Sequence, residues 1–124
     1  MVTYNEYLKK ILSQTLDSYN ALKEIQDKPG DLVHIKKEML KINGFLKVAT
    51  NNLDEYKITL SDFTKLKSKF EHYLENYFFE KEIETMAPLY SDDIHRVKNM
   101  RLKIIEALED KKMMESVGDL IEKL

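Results

Sequence analysis

The chain has 124 residues, enough for one domain with a sizeable core, and 43% hydrophobic with 34% charged residues is a globular rather than a disordered composition. It contains no cysteine, which excludes a disulfide framework, a thiolate nucleophile and a cysteine-ligated zinc site. A net charge of -2 denies the molecule as a whole the basic footprint of a nucleic-acid binder.

Three glycines and two prolines leave room for few turns, so the helices must be long. Apolar runs never exceed three residues, too short to span a membrane, and Met1 to Tyr7 lacks the pattern of a signal peptide. The expected location is the cytoplasm. Residues 1–124 read as a single helical domain.

Helix one is predicted to open at Thr3. Thr3 and Glu6 make a capping box, and Val2 with Tyr7 a hydrophobic staple. Its apolar face reads Tyr4, Leu8, Ile11, Leu12, Leu16, Tyr19, Leu22 and Ile25, and Pro29-Gly30 stops it. Asp31 is the predicted cap of helix two. Leu32, Ile35, Met39, Ile42, Leu46, Ala49, Leu53 and Tyr56 then step by three and four along a coiled-coil-like seam that other helices must cover. Gly44 interrupts that helix at a cost of about 1 kcal/mol relative to alanine, which suggests close packing there.

Helix three is predicted from Thr59, capped with Asp62 and stapled by Ile58 and Phe63, to about Ala87, where Pro88 ends it. Ser91 is the predicted cap of helix four, whose buried face is Ile94, Val97, Ile104, Ile105 and Leu108. Glu109 to Lys112 interrupts the pattern before Met114, Val117, Ile121 and Leu124 resume it. Either helix four continues or a short fifth helix begins there, and the interruption favours the second. The expected fold is all-α, an antiparallel bundle of four long helices with this short C-terminal addition.

Two features depart from a simple bundle. Along helix three, Phe63, Leu66, Phe70, Tyr73, Leu74 and Tyr77 form one stripe, and Phe79, Ile83, Met86 and Tyr90 a second, nearly opposite. A straight helix cannot turn both to one core. Either the helix bends, or the second stripe, with Glu80, Glu82 and Glu84 at its rim, meets another chain. Arg101 projects from within the buried face of helix four and needs a carboxylate, for which Glu71, Glu75, Glu80 and Glu84 are the candidates. The alternative is that it faces a partner.

Catalytic chemistry finds little footing. Asp31-x-x-His34, His34-x-x-x-Glu38 and Asp92-x-x-His95 have the look of di-iron ligand spacing, but His34, His72 and His95 lie off their helices' apolar faces and cannot converge. No nucleophile elbow or glycine-rich phosphate loop is present. Neither enzyme activity nor any metal or cofactor is expected. Arg96, Lys98, Arg101 and Lys103 make a basic turn that could meet nucleic acid, although they spread around the helix.

Met100 to Leu108, followed by Met114 to Leu124, resembles the end of the helical domain in archaeal GINS replication-complex subunits, through Arg101, Lys103, Ile104 and Ile105. The resemblance implies a replication- or nucleic-acid-associated helical subunit. The residues themselves favour a non-catalytic protein-interaction module: an assembly subunit, adaptor or inhibitor of a larger complex. Its expected interface is Phe79, Ile83, Met86 and Tyr90, with Glu80, Glu84 and Arg101 around them. Self-association, most simply a dimer, is the expected form.

Overall fold

A computed structural model of the chain describes residues 4–51 and 61–124. The fold is all-α, with no strand among the described residues. Four longer helices, α1 (Tyr4–Glu24), α2 (Asp31–Asn51), α3 (Ser61–Asn76) and α5 (Ile94–Glu109), are accompanied by two shorter ones, α4 (Phe79–Tyr90) between α3 and α5 and α6 (Met113–Lys123) after α5. Thr3, Val2, Leu53, Tyr56, Ile58 and Thr59, which carry predicted caps, staples and the end of the seam, lie outside the described residues.

The seam of α2 organises the core. Leu32, Ile35, Met39, Ile42, Leu46 and Ala49 are all buried, and α2 packs against α1, α3, α4 and α5. Leu8, Ile11, Leu12, Tyr19 and Leu22 of α1 close one side, while α6 fills the space between α1 and α3 with Met113, Met114, Val117 and Leu120. Gly44 is not a close-packing point. It is exposed, and a β-carbon there would meet only open space.

The largest correction concerns the third predicted helix, which is two helices. It breaks after Asn76, and Phe78 adopts a non-helical φ of -125° and ψ of 55° before α4 begins. The break turns the second stripe inward: Phe79 is 2% exposed and Ile83 1%. Tyr73, Tyr77 and Phe79 pack together across it, with the Tyr77 and Phe79 rings stacked at 5.5 Å. The Tyr73 hydroxyl is enclosed without a partner among the described residues, and burial pushes its phenol well above the ordinary tyrosine range. Glu80 and Glu82 sit in the first turn of α4, where carboxylates favour the positive end of a helix dipole. Pro88 does not end the helix but lies in its last turn.

The cap of α5 is Asp93, not Ser91; its Oδ1 accepts hydrogen bonds from the His95 and Arg96 amides at 3.1 and 3.2 Å. Ile94 is half exposed rather than buried. At the far end, a 3-10 turn (Asp110–Lys112) separates α5 from α6, with Lys111 at φ 55° and Lys112 at φ 57°. Left-handed backbone costs such residues about 1–2 kcal/mol each. Burying the four apolar side chains of α6, at about 1.5–3 kcal/mol each, outweighs it.

Two polar clips hold α5 to α1 and the turn beyond it. The Tyr19 hydroxyl donates to Glu109 Oε1 at 2.7 Å; burial, aided by that carboxylate, pushes the phenol up to about 12. Arg101 does not reach the glutamates of the preceding helices. Its Nε and Nη2 donate to the two Asp27 carboxylate oxygens at 2.7 and 2.8 Å, and Nη1 donates to the Leu22 carbonyl at 3.3 Å. Both side chains are 11% exposed, and the hydrogen bonds to Asp27 raise the guanidinium's pKa against the opposing effect of desolvation. Asp27 holds this position with φ at 61°, a backbone region that aspartate tolerates better than most residues.

Two consequences can be measured by urea denaturation. Phe79→Ala should cost about 3–5 kcal/mol, as a buried phenylalanine does, while the neighbouring Phe78→Ala stays within about 0.5 kcal/mol; similar losses at both would contradict the break. Asp27→Asn keeps the backbone tolerance but removes the charge, and should cost about 2 kcal/mol. A change under about 0.5 kcal/mol would mean the Arg101 clip contributes little.

Candidate functional site

With Phe79 and Ile83 inside the core, the remaining members of the second stripe acquire a new setting. α4 and α5 pack side by side and leave an open groove of about 670 Å³ between them. Met86 and Tyr90 of α4 and Met100 of α5 line it as half-buried apolar groups. Phe78 and Leu89 stand at its two ends, 65% and 74% exposed. They are eleven positions apart, about 16 Å at the rise of a helix. Single exposed apolar side chains are ordinary, but two large ones flanking an apolar hollow form a patch.

The polar lining comes equally from the two helices, Lys81, Glu82 and Thr85 from α4 and Arg96, Asn99 and Lys103 from α5. The Arg96 guanidinium lies over the Tyr90 ring, 3.7 Å from its centroid, with Nε 3.6 Å from Asp93 Oδ2. Lys103 Nζ donates to Glu82 Oε1 at 3.0 Å, tying the two helices together. Asn99, Thr85 and Lys81 complete the walls. Lys81, Arg96 and Lys103 thus outnumber the two carboxylates beside them, Glu82 in the lining and Asp93 next to Arg96, in a molecule of net charge -2.

The groove follows from the way α5 is clipped. At about 100° per residue, Val97, Ile104 and Leu108 lie within about 60° of Arg101, and all three are buried. Arg96, Asn99, Met100 and Lys103 fall about 100–160° away, on the side that meets α4. Fixing Arg101 on Asp27 therefore turns these four toward the groove.

The expected interface is revised accordingly. Phe79 and Ile83 are core residues and offer no contact surface. Met86 and Tyr90 remain accessible in the groove. Glu80 and Glu84 are exposed outside the groove, where they line an adjoining hollow of about 450 Å³ that shares Phe78 and Lys81 with it, and Glu84 lies 3.7 Å from Lys36. Arg101 is committed to Asp27, with its side chain 11% exposed. Phe78 and Leu89 were missed because both fall just outside the apolar stripe that drew attention to this segment.

The basic turn does not form one surface. Arg96 stacks on Tyr90, Lys103 pairs with Glu82 and Arg101 is held by Asp27, while Lys98 is exposed outside the groove. His34 and His95 are exposed, and His72 Nε2 lies 3.5 Å from Asp110 Oδ2. Among the described residues, no group of three or more histidine, aspartate and glutamate side chains is placed to hold a metal ion. No described helix is long and apolar enough to cross a membrane. No protein-family model matches the chain, and no curated protein or solved structure is significantly similar to it.

Proposed function

We infer that the protein is a non-catalytic interaction module whose α4–α5 groove receives the apolar face of a helix. The observation that carries this reading is the pairing of two strongly exposed anchors, Phe78 and Leu89, with a hollow lined by Met86, Tyr90 and Met100. Helix-in-groove recognition uses apolar anchors at i, i+3 or i+4 and i+7, a span of about 10 Å that fits between Phe78 and Leu89. Methionine suits such a surface because its flexible, polarizable side chain adapts to different knobs. Tyr90, held under Arg96, supplies a rigid aromatic wall of the kind enriched where binding energy concentrates.

The test uses a designed amphipathic helical peptide of about 14 residues, with leucine and phenylalanine anchors and glutamine elsewhere. Its amide chemical-shift perturbations should cluster at Phe78, Met86, Leu89, Tyr90 and Met100. The Phe78→Glu, Leu89→Glu double variant changes only exposed positions, so it should keep its helicity and lose affinity by at least about tenfold, or 1.4 kcal/mol. Shifts scattered over the molecule, or undiminished binding by the double variant, would refute the assignment.

A further inference from the structure

The lining of the groove says more about its occupant than that it is apolar. We propose that the occupant is an acidic amphipathic helix of about three turns supplied by a different protein. This rests on the helix-docking reading above and names the partner class for the same groove.

The first argument is charge. The molecule as a whole is slightly acidic, yet at the groove Lys81, Arg96 and Lys103 outnumber the two carboxylates beside them, Glu82 in the lining and Asp93 next to Arg96. Complementary potential steers encounter and selects partners more than it adds raw affinity, so this local reversal of sign favours an acidic ligand. The second argument is spacing. Arg96 and Lys103 are seven residues apart on α5, two turns or about 10 Å. Carboxylates seven residues apart along one edge of the incoming helix would meet both.

Arg96 is prepared for such a contact. Its guanidinium carbon sits over the Tyr90 ring, 3.7 Å from the centroid, and its Nε lies 3.6 Å from Asp93 Oδ2, contacts that restrict the side chain while its terminal N–H groups remain available. A guanidinium can donate two parallel hydrogen bonds to a carboxylate. The apolar face of the same helix would cover Met86, Met100 and the exposed ends at Phe78 and Leu89.

A second copy of this chain fits less well. A two-fold contact through this face would bring the same patch against itself, setting the basic rim of one molecule against that of the other. The glutamates Glu80 and Glu84 do not line the groove; they line the adjoining hollow, and Glu84 lies 3.7 Å from Lys36.

The experiment compares three labelled peptides with identical apolar anchors and with glutamate, glutamine or lysine at the rim positions, alongside an oligothymidylate, by fluorescence anisotropy. The glutamate peptide should bind at least about tenfold more tightly than the glutamine peptide at about 50 mM salt and lose most of that advantage at about 300 mM. Arg96→Gln with Lys103→Gln should erase the preference, so that the glutamate peptide binds the variant no more tightly than the glutamine peptide does. Equal affinity for all three peptides would overturn the acidic occupant while leaving helix docking intact. No binding by any peptide would overturn both. Tighter binding of the lysine peptide, or oligothymidylate binding that Arg96→Gln abolishes, would also overturn the proposal. So would a concentration-dependent dimer, seen by light scattering, that Leu89→Glu dissociates.

Discussion

The break between Asn76 and Phe79 is the constraint on which the rest of the arrangement depends. A continuous helix through this segment would leave Phe79 and Ile83 facing away from the core that Phe70 and Tyr73 enter. Breaking it forfeits a few helical hydrogen bonds, worth about 0.5–1.5 kcal/mol each in net terms. Burying Phe79 and Ile83 returns about 1.5–3 kcal/mol apiece, and Met86 and Ala87 add partial burial. The two sides are comparable, and the Tyr73–Tyr77–Phe79 cluster tips the balance, since aromatic pairs contribute about 0.5–1.5 kcal/mol beyond area alone. No proline or glycine is needed at the break because packing supplies the reason for it.

The same break creates the candidate site. Turning Phe79 and Ile83 inward directs Phe78, at the start of α4, and Leu89, near its end, toward solvent, with Met86 between them. α5 supplies the opposite wall because Arg101 fixes its rotation: the guanidinium clamped on Asp27 marks one side, and Arg96, Met100 and Lys103 occupy the other. A core-packing event in one helix and an ion pair in another thus meet in one groove. The Lys103–Glu82 pair, exposed to solvent, contributes little stability and chiefly sets the register of the two walls.

Much of the fold is written in local periodicity. The α2 seam is legible because apolar spacing of three and four persists over many turns, and every described seam position is buried. The interruption at Glu109 to Lys112 is legible for the same reason: four polar residues break an apolar period, and the chain turns there. The break near Tyr77 was half legible. Two opposed stripes required a bend or a partner, and Glu80 and Glu82, acidic residues suited to a helix N-terminus, were the signal that could have chosen the bend. Arg101's need for a carboxylate was visible, but its partner was not. Asp27 lies 74 residues away in the α1–α2 connection, and only the tertiary fold brings it near. The groove lay beyond periodicity altogether, since Phe78 and Leu89 belong to neither stripe.

The central claim is that the second stripe of this segment is core and that its flanking residues are surface. Because the native chain has no cysteine, a single introduced thiol reports its own position without interference. The direct measurement is the rate of thiol labelling in four folded single-cysteine variants: Phe78→Cys, Phe79→Cys, Ile83→Cys and Leu89→Cys. The thiols at positions 78 and 89 should label like a free thiol. Those at 79 and 83 should be protected by at least about a hundredfold, which corresponds to an opening free energy of about 2.7 kcal/mol. Equally rapid labelling at all four positions, with helicity intact, would place Phe79 and Ile83 on the surface and contradict the account.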